Sequence, residues 1–365
     1  MNFLKKLLGK EDKPLDNSGF WDWFQKEQRQ FHSVVKTKDT NNIDKGFLEK
    51  IMPKLQTLNK QFYCLTGMFD ADIAELVITA EGDIKTFVFA EELVAAAPDI
   101  PGWRLTALKP PVGIKDMRIS MAGFDFDNNK LSFFCNEEEK YPDVIDLTIV
   151  HSDFTDKDQK TITNGTFIYL DNALGELNLA TLIDHIQVTG PSGDHPELIP
   201  IGKLTDFLNW KEKEFIEKYH GLRIDTADDA YTALEATDDN GIGLVALVNK
   251  SLLEWDAKAS HPWLLLIEIE YGPGNNGMPD KATYELITQL EDDLAAQLPD
   301  AEGFLNLGRE TYNGKRKVFL ACKDFRRSSI ALSKLSASYQ DRLKITYDIY
   351  KDKYWQTMDQ YQQHL

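Results

Sequence analysis

The chain has 365 residues, 59 acidic and 41 basic, for a formal charge of −18. That length exceeds what one hydrophobic core usually supports, so two domains are expected, and an apolar content of 42% argues against disorder over most of the chain. The negative field opposes phosphate backbones and anionic lipid, which weighs against a dedicated nucleic-acid or membrane-surface role.

Residues 1–18 read as a flexible, polar tail. Lys5, Lys6 and Lys10 are followed by no apolar run of signal-peptide length, and no segment has the apolar length that crosses a bilayer, so a cytoplasmic location is expected. Phe20, Trp21, Trp23, Phe24 and Phe31 then recur at helical spacing. A second helix is expected over residues 42–59, kinked or split by Pro53. From residue 62 the period becomes two. Residues 62–67, 74–80 and 85–90 read as a strand meander, with Glu81-Gly82-Asp83 as a tight turn, before a short helix over 91–97.

A strand is expected over 103–108, and a hairpin over 117–126 and 130–135 around Asp127-Asn128-Asn129. Another strand follows at 143–151. Residues 164–186 carry helical spacing mixed with Asp171, Gly175 and Glu176 and lead into a strand near 183–188; 190–196 is a loop. A charged helix over 202–220 closes an N-terminal α+β domain spanning 19–220. Cys64, Cys135 and Cys322 are odd in number and lie in apolar, strand-like contexts, as small core residues of a reducing compartment do.

The C-terminal domain, 221–365, opens on an acidic run, 225–239, and a hairpin over 231–236 and 243–248. After it come a strand (263–271), a helix (279–298), a strand (303–310), the two-residue turn Asn313-Gly314, a strand (315–323), a helix (326–339) and a strand (343–350). The order βαββαβ is the ferredoxin-like, split-βαβ plan, giving an α+β protein of two domains. Such a plan hosts many functions and predicts none.

Two stretches carry a resemblance. Residues 74–111, with Leu76-Val77-Ile78-Thr79-Ala80-Glu81-Gly82 and Gly102-Trp103-Arg104, together with Leu170-Asp171-Asn172-Ala173-Leu174-Gly175-Glu176, resemble a group of uncharacterised bacterial cytoplasmic proteins. Residues 262–355, with Gly277-Met278-Pro279, Arg309-Glu310-Thr311, Asn313-Gly314-Lys315-Arg316 and Asp352-Lys353-Tyr354-Trp355, are similar to a bacterial family of unknown function. That family is distantly similar to the RraB-type regulators of ribonuclease E. The resemblance implies regulation through protein binding and brings no catalytic residue with it.

Gly272-Pro273-Gly274-Asn275-Asn276-Gly277 fits G-x-G-x-x-G, but the strands that follow form a hairpin rather than a parallel βαβ half, so turn glycines are the better account. The one basic island is Arg309, Lys315, Arg316, Lys317, Lys323, Arg326 and Arg327. Arg309, Lys315, Arg316, Lys317, Arg326 and Arg327 are candidates for meeting an acidic partner, against the simpler reading of solvated strand lysines that discourage edge pairing. The seven histidines lack zinc-ligand spacing, and His151 with Asp153 and Asp156 reads as a strand-end loop. Asp125 to Asn129 starts like a calcium loop but has Lys130 where the turn glycine belongs. No catalytic, cofactor-binding or metal-ligating set is identified. The leading expectation is a non-enzymatic interaction or regulatory protein with a protein partner. The alternatives are an enzyme with a pocket between its domains, and an acidic toxin-neutralising protein.

Overall fold

The computed structural model describes residues 15–115, 117–222, 225–272 and 274–365. The greater part of the expected tail lies outside the described residues. Asn17 and Ser18 already belong to α1 (Asn17–Lys36), whose N-cap Asp16 accepts from Gly19 N. Phe20, Trp21, Phe24, Phe31 and Val35 form its buried side. α2 (Thr40–Ile43), a wide π-helical turn at Asp44–Leu48 and α3 (Glu49–Leu58) follow. Pro53 sits inside α3 and does not split it; the backbone widens in the turn upstream.

β1 (Tyr63–Met68), β2 (Ala74–Thr79), α4 (Ile84–Ala95) and β3 (Trp103–Ala107) build a three-stranded sheet with β2 in the middle, antiparallel to β1 and parallel to β3. The strand expected over 85–90 is therefore helix. Glu81 and Gly82 do turn the chain, both at positive φ, but into the start of α4. Thr86, Phe87, Val88, Ala90 and Leu93 are all buried, so α4 is apolar over most of its circumference, and such a run carries no clear period.

The next segment has a hairpin of β4 (Ile119–Met121) and β5 (Phe124–Phe126), and a sheet ordered β8-β7-β6-β9. Its strands are β6 (Leu131–Asn136), β7 (Asp146–His151), β8 (His185–Thr189) and β9 (Ile199–Pro200), with α5 (Gln159–Leu174), α6 (Glu176–Leu182) and α7 (Leu204–Tyr219) around it. The hairpin turn is Ala122-Gly123, not Asp127-Asn128-Asn129. Asp127 instead accepts from Asn129 N and Lys130 N in a local turn that sends β6 to pair with β7 and β9.

The last segment forms a six-stranded sheet ordered β10-β11-β13-β14-β12-β15, antiparallel at every pairing. Its elements are β10 (Tyr231–Thr237), β11 (Gly243–Asn249), α8 (Lys250–Leu253), β12 (Trp263–Glu270), α9 (Lys281–Gln297), β13 (Phe304–Tyr312), β14 (Lys315–Cys322), α10 (Phe325–Tyr339), β15 (Lys344–Lys351) and α11 (Asp359–Gln362). Asn313 and Gly314, both at positive φ, close the ribbon between β13 and β14. Ile287, Leu290 and Leu294 of α9 and Leu332 and Leu335 of α10 cover one face, over Leu265, Ile267 and Leu320. Trp355, Met358 and Tyr361 cover the other, over Leu264, Leu305 and Phe319. The protein is thus α+β. Among the described residues no helix is long and apolar enough to cross a membrane.

The cores do not follow chain order. The segment carrying α1 to β3 shares one hydrophobic cluster with α9, α10 and their sheet, joined where Phe87 meets Phe325 edge-on at 6.1 Å, whereas residues 114–208 hold a cluster of their own. A bulge at Asn306–Gly308 brings Gly308 against β11 at φ +142°. A Cβ there would lie 2.4 Å from Leu247 O and 2.8 Å from Val248 Cα. Gly308→Ala is expected to cost about 2–4 kcal/mol of stability in urea unfolding, because both clashing atoms are backbone. A loss under about 0.5 kcal/mol would show that the bulge yields freely.

Candidate functional site

The middle segment and the six-stranded sheet meet along a cleft of about 700 Å³, and the two sides contribute opposite members of two charged clusters. Asp143, in the loop before β7, accepts from Lys218 Nζ (2.8 Å) and Tyr219 OH (2.8 Å) at the end of α7, and from Tyr354 OH (2.6 Å) across the junction. Its own N–H donates to Tyr354 OH at 3.2 Å. Burial pushes the Asp143 carboxyl up, but the bonds from Lys218, Tyr354 and Tyr219 together hold it below the usual carboxylate range. Burial, then the Asp143 charge, pushes both tyrosine hydroxyls well above theirs.

Asp184, between α6 and β8, anchors the second cluster. One oxygen accepts from Ile145 N (2.7 Å) and Lys353 Nζ (2.8 Å), and the other lies 3.1 Å from Lys351 Nζ. Lys353 also donates to Asp143 O at 2.5 Å. Lys351 differs from Lys353. Its ammonium is out of contact with solvent and makes no hydrogen bond, its approach to Asp184 being close but poorly aligned. Burial first, and the Lys353 charge with it, pull its pKa down to about 8 against the opposing pull of Asp184.

Local sequence explains how the two lysines arrive together. Lys351 ends β15, and Asp352 then accepts from Gln356 N, Thr357 N and Thr357 Oγ1, which turns the chain sharply. The turn points Lys353 and Tyr354 at the middle segment while Trp355 is driven into the sheet, its indole donating to His261 O at 3.0 Å. The rest of the lining is mixed: Leu177 and Leu182 of α6, Phe215 and Ile216 of α7, Trp263 and Phe325 are apolar, and Lys211, Glu212, Glu214 and Glu217 of α7 are charged.

The six basic residues singled out from the sequence are not brought to one surface. Arg309 and Arg316 both pair with Glu291 of α9, Arg316 being buried and also bonded to Thr311. Lys315 pairs with Glu268 at 2.8 Å and Lys317 with Glu310 at 3.7 Å, on the opposite side of β14 from Arg316. Arg327 pairs with Glu302, and Arg326 makes a two-pronged contact to Glu91 of α4 at 2.7 and 2.8 Å. Lys323 donates to Leu222 O. Arg326 alone of the six lines the cleft. Lys351, Lys353, Asp143, Asp184 and Lys218 were missed; the only hint was the run Asp352-Lys353-Tyr354-Trp355, singled out for resemblance rather than chemistry.

Other residues weighed from the sequence lie elsewhere. His151 accepts from Asp153 N through Nδ1 and meets Asp125 O at 3.0 Å through Nε2, a strand-end arrangement. His261 is buried, and burial drops its pKa to about 3. Burial likewise pushes the Cys64 and Cys322 thiols up to about 12, away from nucleophilic behaviour. In the glycine-rich loop Gly277 O accepts from Gly314 N and Tyr271 OH, so the loop is packed on the Asn313-Gly314 turn. Among the described residues no three of His, Cys, Asp and Glu converge as metal ligands.

A family model described as a family of unknown function, DUF695, matches residues 236–363. The match takes in Lys351, Lys353 and Tyr354, while Asp143, Asp184 and Lys218 lie before it. No curated protein and no solved structure matches the chain.

Proposed function

We propose that the protein is a cytoplasmic, non-catalytic regulatory protein that works by binding, and that the cleft between the middle segment and the six-stranded sheet is where it binds. The carrying observation is that this cleft is walled by both segments and fastened by charged groups from both, Asp143 with Tyr354 and Asp184 with Lys351 and Lys353. Occupancy of such a junction acts on the relative placement of its two sides, which is what a regulator needs.

In the same proposal the elements from β12 to β15 are a ferredoxin-like unit, with the β10–β11 hairpin added at the β13 edge. Support comes from the chain order of these elements and from β14 lying between β13 and β12.

The test is equilibrium dialysis of the full chain against a small-molecule extract of a bacterial lysate, with mass spectrometry of what is retained. Wild type should retain a compound near one equivalent, and Leu182→Trp, which pushes a larger ring into the cleft from its α6 wall, should retain much less. Nothing retained by wild type, or equal retention by the variant, would overturn the proposal.

A further inference from the structure

The two lysines share a single carboxylate. Lys351 and Lys353 both approach Asp184, at 3.1 and 2.8 Å, and the second acceptor on Lys353 is the uncharged Asp143 O. The Asp143 carboxylate is taken by Lys218 and two tyrosines, and Arg326 by Glu91 and Asp324. With both lysines protonated, the Asp184 cluster therefore holds one positive charge too many in a place sheltered from water. Buried charge of that kind is either neutralised by proton loss or matched by an anion. Lys351 is the member left over, because its ammonium makes only the close, poorly aligned approach to Asp184, while Lys353 bonds to that carboxylate directly.

The rest of the cleft says what carries the anion. The cleft that Lys351 lines presents the apolar side chains of Leu177, Leu182, Phe215, Trp263 and Phe325, with the carboxylates Glu212, Glu214 and Glu217 along α7. A fully solvated inorganic anion would gain nothing from these surfaces, whereas an anion attached to an apolar or aromatic body would bury that body against them.

Resting on the binding reading of this cleft, we infer that its ligand is an amphipathic monoanion, an apolar body with one carboxylate, sulfonate or phosphate-type head, whose head takes up the free N–H donors of Lys351. Burial, with the Lys353 charge beside it, depresses the Lys351 pKa to about 8 against the pull of the shared Asp184, in keeping with an ammonium that is only partly compensated. Proton loss from Lys351 then competes with the anion, so affinity falls as pH rises through this value. The titratable and charged groups around the cleft are Asp184 from the loop before β8, Lys353 beyond β15, Asp143 with Tyr219 and Tyr354 bonded to it, Lys211, Glu212, Glu214, Glu217 and Lys218 from α7, and Asp324 and Arg326 at the start of α10; of these, Asp184 and Lys353 are the ones that act on the Lys351 charge. Tyr219 and Tyr354 are pushed above their ordinary range and Arg326 is raised, so none of these three loses its proton in that window.

The probes are anilinonaphthalene sulfonate, which has an aromatic body and a head charged at all relevant pH, and its uncharged parent phenylnaphthylamine, both read by fluorescence titration of the full chain. The sulfonate should bind wild type more tightly than the parent. Lys351→Met should weaken the sulfonate about tenfold or more and leave the parent unchanged, since a charge-assisted bond is lost while the cleft wall is kept. Raising the pH from about 7 to about 9 should weaken the sulfonate on wild type by a similar factor, a readout that needs no variant to fold. Leu182→Trp should abolish both.

If both probes bind and Leu182→Trp removes them, but neither Lys351→Met nor pH affects the sulfonate, the anionic head is overturned and the binding cleft stands. If neither probe responds to Leu182→Trp, the cleft reading fails with it.

Discussion

Asp184→Ala is expected to destabilise the protein by about 3–5 kcal/mol at neutral pH, the range for removing one side of a buried ion pair. Lys351 and Lys353 would be left in a sheltered junction without their shared counter-charge, Lys353 keeping the Asp143 main-chain oxygen as an acceptor, and Ile145 N would lose its partner. The triple variant Asp184→Ala, Lys351→Met, Lys353→Met should recover much of the loss, because most of the cost is stranded charge rather than a missing attraction. Urea unfolding followed by tryptophan fluorescence measures both. A loss below about 1 kcal/mol for Asp184→Ala, the value of an exposed pair, would mean that water reaches the cluster freely and would remove the basis for an anion at Lys351.

Glu176→Ala should cost a comparable about 3–5 kcal/mol, through hydrogen bonds rather than charge pairing. Glu176 is only 2% exposed, and its carboxylate accepts from Thr79 Oγ1 (2.7 Å), Gly82 N (2.8 Å), Lys109 N (3.1 Å) and Ala80 N (3.2 Å). Gly175 just before it is held at φ +78° with its Cβ position 2.8 Å from Pro111 N, so α6 is forced to begin where its first side chain reaches the end of β2. Glu176→Gln keeps the shape but turns one acceptor into a donor facing donors, and an intermediate loss is expected. Hydrogen exchange locates the effect: the amides of Ala80, Gly82 and Lys109 should lose protection in Glu176→Ala and keep it in Asp184→Ala. Equal loss of protection in both would show that the segments unfold together and that the carboxylate has no local role.

These two carboxylates bear on what the resemblance marked. The stretches 74–111 and 170–176, which together carry one resemblance, lie apart along the chain, and Glu176 joins them through Thr79, Ala80, Gly82 and Lys109. The run Asp352-Lys353-Tyr354-Trp355 likewise serves the junction: Asp352 makes the turn, Lys353 and Tyr354 reach the middle segment, and Trp355 anchors the tail on the sheet. Patterns that carried no catalytic signature in the sequence are, in the folded chain, the fastenings between segments.

What local chemistry dictates was legible without coordinates. Asn313-Gly314 closes a two-residue hairpin because both positions need positive φ, and the near-continuous apolar run that opens residues 263–271 belongs to a strand covered on both faces. Such signals depend on a residue and its near neighbours. The helical state of residues 84–95 was decided by tertiary packing, since an element enclosed on most sides is apolar all round and loses its period. The fate of the basic island was decided there too: its carboxylate partners are Glu91, Glu268, Glu291, Glu302 and Glu310, several of them far off along the chain, so the charges that look free in order of sequence are paired in space. The cleft is the extreme case. Asp143, Asp184, Lys218 and Lys351 come from four distant places, and neither the surplus charge nor the burial that makes it matter exists until the two sides of the junction close around them.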